Sequence, residues 1–297
     1  MAEICPVVNT EKLLLATDAS QFSEGAIREA IRLAKRCSSK LSVLSVIETN
    51  PEYETIAPQL LEKAEKSAQE HLGSVKERAK KEGVDCTTSI LEGEDSFNYI
   101  SDEAAKNKVS MIIMGRRGRS GLKRLMMGSV TSRVIGHAPC NVLVVPKAAQ
   151  VDFKSIVVAT DGSKYSLAAA SEAIGLAKQN KSELTVISVV PSELMTPTDI
   201  DLTMTHKELI ADKEMHEAEK NVKSVKEAAQ KEGVAVKAFV MSGRPADAII
   251  EIARDKNADL IVLGSHGRTG LEKLLMGSVA ERVIVLSSCA VLVVKRK

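Results

Sequence analysis

The sequence predicts an α/β protein of two tandem domains, each with a doubly wound, Rossmann-like sheet of five parallel strands. Two observations predict this class: the chain repeats its own motifs once, and short apolar runs alternate with helical patterns within each copy. The apolar runs are continuous, which is typical of strands buried on both faces. Alternating strands and helices of this kind form a parallel sheet with right-handed crossovers.

The repeat is clearest after the fourth strand of each copy. The stretches Gly115–Arg133 (GRRGRSGLKRLMMGSVTSR) and Gly264–Arg282 (GSHGRTGLEKLLMGSVAER) agree at 11 of 19 positions without a gap. The first strands read KLLLATD and KSIVVATD, and the last strands read NVLVVPK and AVLVVKR. We therefore predict a duplication, with one domain over residues 1–148 and another over residues 149–297.

The elements of the first copy follow from its change of hydrophobic period between strand and helix. The predicted strands are Lys12–Thr17, Leu41–Ile47, Val84–Leu91, Ser110–Met114 and Asn141–Val145. The predicted helices are Glu24–Cys37, Gln59–Glu82, Asp95–Asn107 and Leu125–His137. The second of these helices ends in Lys-Glu-Gly, where Gly83 is expected to form the C-cap.

The second copy repeats the same order of elements. Its predicted strands are Lys154–Thr160, Glu183–Val190, Val234–Met241, Asp259–Leu263 and Ala290–Val294. Its predicted helices are Tyr165–Gln179, Thr205–Glu232, Ala246–Asp255 and Leu274–Leu286, with Gly233 as the corresponding C-cap.

Composition excludes several classes of function. With 41 basic and 39 acidic residues, no Trp and 7 Phe and Tyr together (4 and 3), the chain has neither the charge nor the aromatic residues typical of nucleic-acid binding. It contains no apolar run of about 18 residues and no signal-peptide pattern, so we expect a cytoplasmic protein that does not enter membranes. The 5 cysteines include no CxxC pair, and we expect buried, reduced thiols.

Both copies carry a glycine loop between the fourth strand and the last helix. Its spacing is Gly-x2-Gly-x9-Gly-Ser: Gly115, Gly118, Gly128 and Ser129, then Gly264, Gly267, Gly277 and Ser278. Glycines allow a ligand to approach backbone amides, and the N-terminus of the following helix favours a phosphate. Such glycines can also simply form a turn, but the same spacing in the same context twice favours anion binding.

An acidic residue follows the first strand of each copy. If the first and fourth strands are neighbours, Asp18 and Asp161 face the glycine loops across the crevice at the carboxyl ends of the strands. A carboxylate there can bind a ribose hydroxyl or a metal ion carried by phosphates. The chain has no Gly-Lys dipeptide for a P-loop and no glycine fingerprint after its first strand for a dehydrogenase.

The Thr-Asp motif, the glycine loop and the closing VLVV strand together resemble the universal stress protein family over nearly the whole chain. The resemblance implies strand order 3-2-1-4-5 and, in many members, ATP or AMP bound at the glycine loop. Members without the glycine signature generally bind no nucleotide, and both copies here keep it. The resemblance further implies that the two Asp residues lie beside the ribose or Mg²⁺, and that Val46 and Val189 offer backbone groups to adenine.

The candidate nucleotide-binding residues follow from that resemblance. In the first copy they are Ala16, Thr17, Asp18, Val46, Met114, Gly115, Gly118, Gly128, Ser129 and Val130. In the second copy they are Ala159, Thr160, Asp161, Val189, Leu263, Gly264, Gly267, Arg268, Gly277, Ser278 and Val279. The second copy is closer to the family pattern, since the first replaces Ser265 and His266 with Arg116 and Arg117, which could assist phosphates or lie in solvent.

The resemblance also implies that the VLVV strands of the two copies pair antiparallel within one chain, as a pseudo-dimer to which a second chain could add. The leading function is a stress-response sensor or signalling module that binds adenine nucleotide. One alternative is a slow ATPase that uses the Asp161 side of the pocket and His266. The other is a protein-interaction module whose glycines serve folding. The other four histidines are expected on helix surfaces.

Overall fold

The computed structural model describes residues 5–7, 10–50, 52, 56–118, 127–191, 204–268 and 276–295, and for residues 204–210 it describes the backbone alone. Strands and helices alternate in both halves, as predicted. The first half contains β1 Lys12–Ala16, α1 Glu24–Cys37, β2 Lys40–Glu48, α2 Pro58–Lys81, β3 Cys86–Gly93, α3 Ser96–Lys106, β4 Met111–Gly115, α4 Ser129–His137 and β5 Asn141–Val145.

The second half repeats this order. It contains β6 Ser155–Ala159, α5 Lys164–Asn180, β7 Glu183–Pro191, α6 Met204–Lys231, β8 Val236–Gly243, α7 Pro245–Asp255, β9 Leu260–Gly264, α8 Ser278–Leu286 and β10 Ala290–Val294. Apart from the start of α4 and of α8, the predicted bounds lie within two residues of these.

The helices that follow the glycine loops begin later than predicted. We expected them from Leu125 and Leu274, but α4 begins at Ser129 and α8 at Ser278. The glycine before each helix is extended, and the methionine just ahead of it packs in the core on this face of the sheet: Met276 is buried and Met127 is partly buried. An apolar residue that packs in the core just ahead of a helix continues the apolar spacing of that helix, so the pattern alone predicts too early a start. Residues 119–126 and 269–275, with Met126, lie outside the described part of the chain.

The strands form one mixed sheet in the order β3-β2-β1-β4-β5-β10-β9-β6-β7-β8. Neighbours within each half are parallel, whereas β5 and β10 pair antiparallel with Leu143 opposite Leu292. Both the strand order within each half and the antiparallel pairing of the last strands are confirmed. The two halves therefore form an intrachain pseudo-dimer in which β5 and β10 cover each other's edges.

Apolar side chains pack on both faces of the sheet. In β1, Leu13 and Leu15 join the core that contains α1 and α2, while Leu14 and Ala16 join the core that contains α3 and α4. All four residues are buried. Burial on both faces explains why the strands are continuous apolar runs.

The cysteine prediction is wrong for one pair. Cys5 and Cys37 form a disulfide across 32 residues, because the N-terminal segment returns to the end of α1. The same segment meets the second half, where the amides of Gln179 and Asn180 on α5 donate to the carbonyls of Cys5 and Pro6. The other three cysteines form no disulfide, and burial raises the pKa of the Cys86 and Cys289 thiols. No helix in the described part of the chain is long and apolar enough to cross a bilayer.

Candidate functional site

The first and fourth strands of each half are neighbours, so their carboxyl ends open into one crevice. Ala16 lies opposite Met114 in β1 and β4, and Val158 lies opposite Val262 in β6 and β9. A Cβ atom on Gly118 would lie 2.7 Å from Asp18 Oδ2, and one on Gly267 would lie 2.8 Å from Asp161 Oδ2. Each Asp therefore faces its glycine loop, as the strand order requires.

Asp161 connects the two loops of the second crevice. Its Oδ1 accepts the backbone N–H of Ser163 at 3.0 Å, and its Oδ2 accepts the backbone N–H of Arg268 at 2.8 Å. Burial raises the pKa of this carboxyl, but hydrogen bonds from Ser163, Ser166 and Arg268 outweigh burial and hold the pKa below its ordinary value. The site therefore carries a fixed negative charge at neutral pH.

Asp18 is held by the turn that follows β1 in the first crevice. Its Oδ1 accepts the backbone N–H of Ser20 at 3.0 Å and the hydroxyl of Ser23 at 2.6 Å. Both acidic side chains are therefore fixed by the turn that follows the first strand of their half, with one edge directed at the glycine loop.

The glycines of each loop have two different roles. A Cβ on Gly115 would lie 2.9 Å from the carbonyl oxygen of Phe22, and one on Gly264 would lie 2.7 Å from the carbonyl carbon of Tyr165, so the fold itself requires these glycines. At Gly128 and Gly277 the nearest atoms would be 3.5 and 3.4 Å away, an ordinary contact, and the backbone is extended at a negative φ. The fold would accept a side chain at this last pair.

The last glycine of each loop leads directly into a helix. The N–H of Gly128 donates to the carbonyl of Arg116 at 3.0 Å, and that of Gly277 to the carbonyl of Ser265 at 2.9 Å, which closes each loop. The amides of the first helical turn, beginning at Ser129 and Ser278, have no acceptor within their helices and lie at the positive end of the helix dipole. Each loop thus presents N–H donors that suit an anion.

The second strand of each half extends beyond the first. The N–H of Thr17 donates to the carbonyl of Leu44 at 3.0 Å, directly after β1 ends. Alternate residues of a strand direct their backbone groups to the same side, so the N–H and C=O of Val46 point into the crevice beyond β1. Thr160 and Ile187 make the equivalent bond at 2.8 Å, which directs Val189 in the same way.

These groups line a cavity of about 490 Å³ in the first half, within the range of roughly 300–1,000 Å³ that small-molecule sites occupy. Its wall includes apolar residues, among them Leu44, Leu61 and Ile100, together with the charged Asp18 and Arg117. All ten candidate residues of the first half lie on its wall: Ala16, Thr17, Asp18, Val46, Met114, Gly115, Gly118, Gly128, Ser129 and Val130.

The candidates of the second half occupy equivalent places. Thr160 and Leu263 are buried at the strand ends, Ala159, Val189, Gly264, Gly267 and Gly277 are half-buried, and Ser278 and Val279 are exposed at the start of α8. The backbone N–H of Arg268 is donated to Asp161, while its guanidinium pairs with Glu214 at 3.1 Å and Glu217 at 3.0 Å on α6. The counterpart of Arg268 in the first half falls within residues 119–126, outside the described part of the chain.

The two arginines of the first glycine loop have separate places. Arg117 lines the cavity. Arg116 points the other way and donates to the carbonyls of Val285 and Ser287 at the end of α8, both at 2.8 Å. The expectation that Arg116 assists phosphates or lies in solvent is wrong, and the repeat gave no signal of this contact because its counterpart is Ser265.

Two histidines lie beside the crevices. His71 was expected on a helix surface, but its Nε2 lies 3.0 Å from Thr17 Oγ1 at the first site. The sequence did hold a signal, because position 71 is one helical turn from the buried Ala68 and Val75 of α2. His266 contacts Ser265 through Nδ1 at 3.1 Å and packs on Tyr165, with ring centroids 5.1 Å apart. His137 and His216 are exposed, as expected, while the side chain of His206 lies outside the described residues.

In the first half, the carboxylates of Asp18 and Glu48 both line the cavity that a magnesium ion would enter. In the described residues, no group of three His, Cys, Asp or Glu residues could hold a metal ion. Mg²⁺ is commonly bound by one or two carboxylates together with substrate phosphates and water. Asp18 or Asp161 fits such an ion only if the ion arrives with a phosphate ligand.

The model of the universal stress protein family matches residues 9–146 and 152–295. The chain belongs to the universal stress protein family. It is a tandem member, with one family domain in each half of the sheet.

Individual relatives agree with this assignment. Universal stress protein MJ0531 of Methanocaldococcus jannaschii is 43% identical over 144 residues, which cover 48% of this chain and 83% of that protein. Universal stress protein YxiE of Bacillus subtilis is 33% identical over 147 residues, covering 48% of this chain and 99% of that protein. A crystal structure of a universal stress protein from Archaeoglobus fulgidus matches 98% of both chains, with a TM-score of 0.74 and 25% identity.

Proposed function

We propose that this universal stress protein binds adenine nucleotide, ATP or AMP, in the crevice of each half, and that binding serves sensing or signalling. The observation that carries the proposal is the cavity of the first half. Its wall combines apolar side chains, a carboxylate and the N-terminus of a helix in one space of about 490 Å³. A nucleotide carries groups that match these: an apolar base, ribose hydroxyls and an anionic tail.

The base would lie against the apolar part of the cavity wall, where Leu44, Leu61 and Ile100 supply apolar surface. The N–H and C=O of Val46 supply one donor and one acceptor side by side. Adenine carries a ring nitrogen that accepts and an adjacent amino group that donates, so it matches that pair. Val189 offers the same pair in the second half.

The phosphates would lie against the first turn of α4 or α8. The amides of that turn and the positive end of the helix dipole favour an anion. Arg117 lines the first cavity and adds a positive charge. Asp18 and Asp161 would face the ribose or a Mg²⁺ ion carried by the phosphates.

Gly128 and Gly277 argue against a role of the glycines in folding alone. The fold would accept a side chain at both positions, yet both halves have glycine there. A ligand that approaches the backbone at the start of the helix gives these glycines a reason that the fold does not.

Signalling is favoured over turnover by the lack of a shared base. His266, the candidate base of the second half, is replaced by Arg117 in the first half, and its Nδ1 already contacts Ser265. Tight binding without chemistry would let the nucleotide change the population of states that a partner protein meets.

Isothermal titration of Arg117→Ala with Mg-ATP, AMP and adenosine tests the proposal. We expect weaker binding at the first site for ATP, a smaller effect for AMP and none for adenosine, because Arg117 would act on the phosphates. The matched control is Arg133→Ala, which removes an exposed arginine of the same half that pairs with Asp95. A wild-type chain that binds none of the three ligands would contradict the proposal.

A further inference from the structure

Each helix that begins at a candidate phosphate site ends on a cation from the opposite half. Arg116, from the glycine loop of the first half, donates through Nη1 to the carbonyls of Val285 and Ser287, both at 2.8 Å, and to that of Ile284 at 3.4 Å. These are the last carbonyls around the end of α8, the helix that begins at Ser278 in the second half.

The reverse contact is made by Lys295, directly after β10. Its Nζ donates to the carbonyls of Ile135 at 2.8 Å and Gly136 at 3.0 Å, in the last turn of α4 in the first half. Its backbone N–H donates to Asn141 Oδ1 at 3.0 Å, which fixes the residue at the start of β5. Arg116 and Lys295 are not equivalent in the repeat, so the two halves reach the same result with different residues.

The physical effect of each contact is that of a helix C-cap. The last carbonyls of a helix have no partner within it, and they form the negative end of the dipole, so a cation stabilises them. Burial lowers the pKa of both Arg116 and Lys295, and the carbonyl acceptors offset the cost of taking these cations out of water.

We propose that Arg116 and Lys295 are positioning residues, each for the nucleotide site of the opposite half. The inference rests on the proposed function, because it concerns the same sites. α4 and α8 have nine residues each, so a displacement or fraying of the last turn reaches the first turn, where the phosphates would bind. Neither Arg116 nor Lys295 belongs to the half whose helix it caps, so each half alone would lack its cap.

The first experiment isolates the second site in the full chain. In an Asp18→Ala background, which disables the first site, Mg-ATP binding is measured by isothermal titration with and without Arg116→Ala. We expect Arg116→Ala to weaken binding at the second site by about fivefold or more. Arg116→Lys, which keeps a cation near the same carbonyls, should restore most of the affinity.

The matched control for Arg116→Ala is Arg282→Ala. Arg282 lies on α8 itself but forms an exposed pair with Asp247 at 3.1 Å, so its removal changes the same charge without touching the end of the helix. We expect the affinity of the second site to stay unchanged in this variant. Equal losses in both variants would mean a general effect of charge and would overturn the inference.

The second experiment reverses the roles of the halves. In an Asp161→Ala background, Lys295→Ala should weaken Mg-ATP binding at the first site, whereas Arg133→Ala, on α4, should not. Thermal unfolding of each variant identifies any that fail to fold. If one of the two cap variants does not fold, the experiment on the other variant tests the inference.

The outcomes separate this inference from the proposed function. A wild-type chain that binds no nucleotide overturns the proposed function and the inference with it. Background chains that bind normally, with no loss in Arg116→Ala or Lys295→Ala, overturn the inference alone. Losses in both variants and none in the two controls support it.

Discussion

The carboxylate of Asp161 accepts the backbone N–H of Arg268 at 2.8 Å, although 107 residues separate them in the sequence. The contact joins the turn after β6 to the glycine loop after β9, the two loops that form the crevice of the second half. It exists because β6 and β9 are neighbours in the sheet and because Gly267 has no Cβ atom to displace the carboxylate.

The pKa of Asp161 predicts how acid acts on this half. The pKa lies below its ordinary value of 3.8, so the carboxylate stabilises the fold fully above about pH 4, and the contribution is lost as the pH falls through the lower pKa of the folded state. Asp161→Asn should lower the free energy of unfolding at pH 7 by about 1–3 kcal/mol. Urea titrations from pH 7 to pH 2 should show the difference from wild type shrinking below about pH 4. Asp247→Asn, on the exposed surface, is the control, and a constant difference at every pH would contradict the assignment.

The two kinds of glycine predict opposite effects of alanine. Gly277→Ala should leave the fold unchanged or stabilise it by about 0.4–1 kcal/mol, because its backbone is ordinary and the added Cβ would make only ordinary contacts, yet it should weaken nucleotide binding. Gly267→Ala should destabilise the fold by about 1–3 kcal/mol, because its Cβ would displace Asp161. Urea unfolding and Mg-ATP titration of both variants measure the effects. If Gly277→Ala bound Mg-ATP as tightly as wild type, the glycine would not serve the ligand.

His266→Ala separates a binding protein from a slow ATPase. We expect nucleotide affinity to be retained, because His266 contacts Tyr165 and Ser265 and takes no part in the hydrogen bond between Asp161 and the glycine loop. We also expect phosphate release from Mg-ATP by wild type to equal that of an Asp18→Ala/Asp161→Ala chain. Turnover in wild type that disappears in His266→Ala, with affinity intact, would instead establish the ATPase.

The disulfide predicts a stability that depends on reducing agent. A cross-link between Cys5 and Cys37 restricts the unfolded chain, and its loss should cost about 2–4 kcal/mol. An open depression of about 590 Å³ borders both cysteines, so a small thiol reagent can reach the bond. Urea midpoints with and without dithiothreitol should differ for wild type but not for Cys37→Ser, which cannot form the disulfide. Cys86→Ser is the control, because it removes a cysteine outside the disulfide and should behave as wild type. Equal midpoints for wild type in both conditions would show that the bond contributes no stability.

Most of the fold could be predicted because its signals are local. Continuous apolar runs indicate strands such as β1. The repeated glycine loop indicates that the second half has the same order of elements as the first. The starts of α4 and α8 could not be predicted from period alone, since Met127 and Met276, just ahead of the helices, pack in the core as helical residues would. The antiparallel β5–β10 pair was expected only through the family resemblance, because the sequence of an edge strand does not specify its pairing partner.

The candidate site was predictable where it depends on residues shared by the two halves. Asp18 and Asp161 were found because a carboxylate follows the first strand twice. The contacts of Arg116, Lys295 and Cys5 were missed because each joins segments that are distant in sequence and has no counterpart in the other half. His71 was missed although its position on the buried side of α2 could have indicated its contact with Thr17.

Native mass spectrometry of the purified full chain, with chromatography of whatever denaturation releases, is the direct test of nucleotide binding. We expect at least one bound adenine nucleotide per chain, and two if both crevices are filled, together with a gain in thermal stability in millimolar Mg-ATP. A chain that carries no nucleotide and gains no thermal stability from Mg-ATP would contradict nucleotide binding, and a protein-interaction module would then be the favoured function.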